Sequence, residues 1–252
     1  MIINWTKTDV IVLPLVLIGM ICLTIFLRKI LKNKPDIIRG IPLQVIAGIC
    51  VILEVIKQGI SILEGYDEWM IPLHYCSLFV FFFPFAQYGS ENVKRVMKPL
   101  AFITAGAMSL VFYFSPEVII GNASANYFTD FYAFHTFTYH HLAILYVFLS
   151  LALKDYIPED DDYKSVLIVM SVYCVLTTAT SHILDTNYCN FLYGTLDLLE
   201  QIRLLIGQVG YTLLISLFVA GGTTLITYLY TLAYNDILKR REVIKKNKKS
   251  KK

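Results

Sequence analysis

Residues 10–27 read "VIVLPLVLIGMICLTIFL", eighteen consecutive positions without a charged side chain, followed at once by Arg28, Lys29, Lys32 and Lys34. At about 1.5 Å of rise per residue, a helix of this length nearly matches the roughly 30 Å of hydrocarbon in a bilayer. A secretory signal would carry its positive charge before the apolar core and a small-residue cleavage site after it. Here only Lys7 precedes the run and the cations follow it, so it reads as an uncleaved first membrane helix.

The rest of the chain has the same character. Hydrophobic residues make up 56% of the 252 positions and charged ones only 16%, with a mean hydropathy of +0.60, outside the range of soluble domains. Six further apolar runs, 41–63, 71–88, 96–114, 131–153, 165–184 and 206–232, are long enough to cross hydrocarbon. Backbone polar groups in lipid must be bonded within their own segment, so the runs are helices. The expected fold is an all-α polytopic membrane bundle of about seven transmembrane helices. Residues 1–238 form one helical domain and residues 239–252 a basic tail. The five cysteines, Cys22, Cys50, Cys76, Cys174 and Cys189, include no CxxC pair, so no disulfide framework, metal site or cofactor is expected.

Lysine and arginine gather on the cytoplasmic side of membrane proteins. Loops one, three and five and the tail hold all but three of the 22 basic residues, which places the N-terminus outside and the C-terminus inside. The acidic stretch 158–162 weighs little in such a count and is flanked by Lys154 and Lys164. The "KKNKKSKK" end is read as a topology anchor against anionic lipid headgroups, with no nucleic-acid role because no binding domain accompanies it.

This orientation puts His74 and Cys76 at the outer end of the third run, His135, His140 and His141 in the outer half of the fifth, and His182 near the outer end of the sixth. Glu54, Lys57 and Gln58 lie past the midpoint of the second. Ionisable groups in a span are costly and mark function by default, and here four helices contribute them at one depth. The inner half offers Cys22, Thr24, Cys50, Thr104 and Ser109.

On a helix, residues two apart are separated by about 200°, so His74 and Cys76 would face apart and the thiol would take a base from another helix. "FHTFTYHH" at 134–141 offers three, and spacing leaves the choice among His135, His140 and His141 open. Glu54 and Lys57, at i and i+3, are placed to pair and so reduce the cost of burial. Cys22, Cys50 and Cys174 read as small hydrophobes, and Tyr66, Tyr88, Tyr113, Tyr127 and Tyr139 as an interfacial belt. Phe79 to Phe83 could wall an acyl chain or simply face lipid. Asn122 heads a glycosylation sequon in an outside loop. Residues 181–194 are long enough to fold back over the outer site.

The string "LEVIKQGISILEGYDEWMIPLHYCSL", with its glutamate in one span and "LHYC" at the head of the next, resembles the YwaF-like integral membrane proteins and their "LPLHLC" box. A histidine within a later span, here in "FTYHHL", and a "GTNYGFL"-like segment, here "DTNYCNFL", extend the resemblance over roughly residues 40–195. That family includes animal acyltransferases called transmembrane protein 164. The resemblance implies an acyl-enzyme on Cys76 with His140 as base, and it matches His74, Glu54 and Asn187 to family positions. His135, His141 and His182 would support the site. Here "YHH" stands for "SHG", and Cys189-Asn190 replaces a glycine.

The leading expectation is a thiol-dependent acyltransferase at the extracytoplasmic side, taking membrane lipids as acyl donor and acceptor. The residue composition points to the plasma membrane of a low-GC bacterium. The alternatives are a non-catalytic transporter or channel lined by Glu54, Lys57 and the histidines, or a haem or metal site on facing helices. The sparse inner half and the absence of an inverted repeat argue against a conduction path.

Overall fold

The computed structural model describes the backbone of residues 7–121 and 123–250, and the side chains of these residues except 117, 118 and 241–250. The sequon residue Asn122 and the tail side chains beyond Arg240 lie outside this description. Apolar runs separated by polar turns give the helices α1 Lys7–Leu31, α2 Asp36–Leu63, α3 Phe79–Tyr88, α4 Glu91–Phe114, α5 Pro116–Ile120 and α6 Ala123–Asn126. The chain continues through α7 Phe131–Leu153, α8 Asp162–Leu184, α9 Asp197–Ser216 and α10 Gly222–Ser250, with a π-helical turn at Leu217–Gly221. No strand occurs among the described residues.

Among the described residues, six helical stretches are long and apolar enough to cross a membrane: α1, α2, α4, α7, α8 and the continuous run Asp197–Arg240. The third apolar run departs from the expectation of a helix across 71–88. Helix begins only at the 3-10 turn Tyr75–Leu78, which passes directly into α3. The stretch Tyr75–Tyr88 rises only about 21 Å at about 1.5 Å per residue, less than the hydrocarbon thickness. Pro72 explains the late start, because its ring disfavours helical backbone at Ile71, which is extended with ψ 130°. His74 is extended as well, at φ −69° and ψ 150°. His74 therefore lies off the helix that carries Cys76, and the expected separation of the two side chains by about 200° does not apply.

The chain forms two compact units, residues 1–156 with 183–189, and residues 157–182 with 190–252. In the first, α2, α3, α4 and α7 pack on one another and α1 rests on α7. An aromatic ladder joins α3 to α7: Phe79 stacks on Phe83 at 5.1 Å, Phe83 on Tyr146 at 4.0 Å, and Phe79 on Tyr139 at 6.3 Å. Phe79, Phe83 and Tyr146 are sealed from solvent, so this part of "FVFFF" fills the protein core and only Phe81 is exposed. Two such residues therefore serve as packing between helices, not as an open acyl-chain wall.

In the second unit, α9 is interrupted at Gly207, whose φ of 74° and ψ of 169° fall where only glycine sits without strain. The seventh apolar run, read at 206–232, starts at this kink. Before it, Glu200 bonds Arg203 and accepts from the Gly194 N–H at 3.0 Å. After it, Gln208 and Thr212 donate to the Phe191 carbonyl at 3.0 and 3.3 Å, satisfying an irregular segment that precedes the helix.

Candidate functional site around Cys76

Cys76 occupies the first turn of the helix that starts at Tyr75, and it is partly buried. His74 caps that helix through backbone geometry alone, without a side-chain cap bond. Its ring lies 4.2 Å from Trp69 and 5.3 Å, edge-on, from Tyr188. This aromatic clamp fixes the chain entering the Cys76 turn, and it leaves His74 Nε2 buried without a partner.

The irregular stretch after α8 folds back onto the same entrance, as its length allowed. Tyr188 donates its hydroxyl to the Glu68 carbonyl, and Thr186 reaches the Glu68 carboxylate at 3.4 Å. Cys189 Sγ accepts the Tyr75 N–H at 3.0 Å, one residue before Cys76. Asn187 is buried in this segment. Asp185, Cys189 and Asn190 all have left-handed backbone, with φ of 51°, 51° and 64°. Glycine adopts such backbone freely and Asp and Asn tolerate it, so the strain falls on Cys189.

Beneath the clamp, α2 contributes a buried charge cluster. Glu54 accepts from Lys57 at 2.8 Å and from Gln58 at 2.7 Å, and His135 Nε2 of α7 lies 3.6 Å from its other oxygen. Gln58 also donates to the Met70 carbonyl at 2.6 Å and accepts from Tyr66 at 2.9 Å. The i, i+3 pairing expected of Glu54 and Lys57 is present, and the further bonds offset the cost of burying both charges. Tyr66 is thereby a ligand of this network.

His135 stacks on Tyr139 at 5.3 Å, and Tyr139 OH approaches the Ser77 carbonyl at 3.5 Å. Tyr139 is buried at 2% exposure, which overturns its assignment to an interfacial belt. The signal for it was its place one turn after His135 on the same helix face.

His140 and His141 face Phe112 of α4, at 6.5 and 5.0 Å between rings, and the Cys76 turn itself rests against α4. Each histidine bonds the carbonyl four residues back through Nδ1: His140 to Thr136 at 2.6 Å and His141 to Phe137 at 2.7 Å. A carbonyl can only accept, so Nδ1 carries the proton, and the neutral ring then presents Nε2 as a lone-pair acceptor. Both Nε2 atoms are buried and lack a hydrogen-bond partner. Such an acceptor is open to a proton donor.

The structure thus gathers Glu54, Lys57, His135 and Tyr139 on one side of Cys76, His74, Asn187 and Cys189 at its entrance, and His140 and His141 along α4. His182 belongs to the second unit and is exposed. Among the described residues no three His, Cys, Asp or Glu side chains converge as metal ligands would.

A family model described as the TMEM164 family matches residues 4–231, nearly the whole chain. The chain belongs to the TMEM164 family. The match includes the "LHYC" turn, the charge cluster of α2 and all three histidines of α7, and with the apolar helices it establishes an integral membrane protein. Neither a search of curated proteins nor one of solved structures gave a match.

Proposed function

We propose that this protein is a lipid acyltransferase in which the Cys76 thiol is the nucleophile and His140 the general base. The observation that carries the reading is a cysteine in the first turn of a helix, next to Ser77, whose carbonyl lies 3.5 Å from Tyr139 OH on the histidine-bearing α7, where His140 is oriented through Nδ1. The N-terminal turn presents the positive end of the helix dipole, so negative charge developing at the sulfur is met by fixed positive charge.

In the proposed reaction the Cys76 proton passes to His140 Nε2 as sulfur attacks the ester carbonyl of a membrane lipid. The ester C–O bond breaks, the departing alcohol takes that proton from His140, and a thioester remains on Cys76. An acceptor hydroxyl or amine then attacks the thioester and gives its proton to His140, the C–S bond breaks to release the new acyl product, and that proton returns from His140 to the Cys76 sulfur. Asn187, buried in the segment that folds back over the entrance, is the oxyanion donor in this reading. The charge bias of the loops supports siting this chemistry at the extracytoplasmic face, and the residue composition supports a bacterial plasma membrane.

The test uses full-length protein in detergent with a phospholipid carrying an alkyne-tagged acyl chain. The wild type should acquire a hydroxylamine-labile tag that Cys76→Ser lacks and Cys22→Ser retains. A labile tag of equal intensity on Cys76→Ser would sink the proposal.

A further inference from the structure

At the opposite end of α3 from Cys76, Arg39, Lys94, Lys98 and Lys154 line one cavity of about 290 Å³ together with Asp36, Glu91 and Asp155. As sequence these cations are three separate loop clusters of the kind that anchor topology, and anchors of that sort are solvated. Here they converge, and Arg39 Nε is buried without a partner. The wall is built: Gln87, itself buried, donates to Tyr146 OH at 2.7 Å and to Asp155 at 3.1 Å, while Lys98 Nζ donates to both the carbonyl and a carboxylate oxygen of Asp155 at 2.9 Å. An inner half poor in polar groups was the expectation, and this network corrects it.

The cavity has more positive potential than its four cations against three carboxylates suggest. Asp36 and Glu91, which pair with Arg39 and Lys94, have side chains 90% and 89% exposed, whereas their cations are only 25% and 28% exposed. Exposed ion pairs of this kind contribute little, so an incoming anion can replace the carboxylates at small cost. Two long helices, α2 and α4, begin at the cavity through Asp36 and Glu91, and neither has a side-chain cap at its N-terminus. Their uncapped N–H groups and dipole ends add to the attraction for an anion.

We propose that this cavity is a binding site for a phosphate group, that of an anionic phospholipid headgroup. Arg39 and Lys94 grip the phosphate oxygens, and Lys98, held by Asp155, sets the floor. The lipid source is favoured by the cavity's edge: Ile37 lines it and is 81% exposed, and Ile41, Phe85 and Tyr88 present exposed apolar surface on the same ends of α2 and α3. A headgroup bound here would lie with its chains along that surface.

The experiment uses full-length protein in detergent with three probes, a phosphatidylglycerol, a diacylglycerol with the same chains, and soluble glycerol phosphate, followed by native mass spectrometry and thermal shift. Phosphatidylglycerol should be retained and raise the melting temperature, and diacylglycerol should do neither. Arg39→Gln with Lys94→Gln should weaken phosphatidylglycerol binding by about tenfold or more, the loss of two charge-assisted contacts. Charge reversal in Lys154→Glu, on the exposed C-cap of α7, should weaken it too, while Lys164→Gln in the second unit leaves it unchanged. Glycerol phosphate binding as tightly as phosphatidylglycerol would keep the phosphate site and assign it to a soluble ligand. Phosphatidylglycerol binding no better than diacylglycerol without any glycerol phosphate binding, or unchanged binding in the cavity variants, would overturn the proposal.

Discussion

Glu54→Gln is the sharpest test of how the Cys76 region is held together. It keeps the shape of the side chain and removes the charge that faces Lys57 at 2.8 Å, where the two side chains are only 7% and 10% exposed. Lys57 would then be a buried cation without its counter-charge, and breaking one partner of a buried pair costs about 3–5 kcal/mol. Amides that Gln58 now donates to Glu54 would meet a side chain of mixed donor and acceptor character, so the lower end, about 3 kcal/mol, is the expectation. For a chain of this size that corresponds to a drop of about 6–12 °C in melting temperature. Removing both charges, as Glu54→Gln with Lys57→Met, relieves the orphaned cation and should recover more than half of the loss. Thermal unfolding of purified protein, followed by tryptophan fluorescence at one scan rate, reads both variants. An unchanged melting temperature in Glu54→Gln, or a double variant that falls by more than the single one, would refute the reasoning.

Two further outcomes follow from particular residues. Gly207→Ala should destabilise the protein by about 1–3 kcal/mol although nothing crowds the added methyl, because φ of 74° with ψ of 169° is strained for alanine, whereas Gly19→Ala within α1, equally uncrowded, should stabilise by about 0.5–1 kcal/mol. The contrast, read by thermal unfolding, fails if both changes have the same sign. For the chemistry, His140→Gln should slow acylation of the protein by about 10²- to 10⁴-fold, the usual contribution of a general base, with His141→Gln within tenfold of wild type. Rapid-quench labelling decides it: the reverse order would move the base to His141, and no effect from either would remove α7 from the mechanism.

Much of this arrangement can be read from composition and spacing, and what cannot has a physical reason. Uncharged runs such as 10–27 demand lipid wherever they occur, so the helical bundle is legible without any contact information. Glu54 and Lys57 are legible too, since i, i+3 neighbours on a helix meet regardless of the rest of the fold. The start of the third helix at Tyr75 was hidden inside an unbroken apolar run, although Pro72 carried the signal. Tyr139 shares a helix face with His135, but its burial depends on which helix covers that face, and spacing does not say. The contact of Cys189 with Tyr75 joins positions 114 residues apart, and the cation-lined cavity joins three loops. Such convergence is set by packing, to which local pattern is blind.

The central claim is that Cys76 carries the acyl group, and peptide mapping by mass spectrometry of the intact membrane protein after incubation with a phospholipid donor tests it most directly. The expected result is an added acyl mass, lost on hydroxylamine treatment, on the peptide that contains Cys76. Acyl mass confined to Cys22, Cys50, Cys174 or Cys189, or acyl transfer that persists in Cys76→Ala, would contradict it.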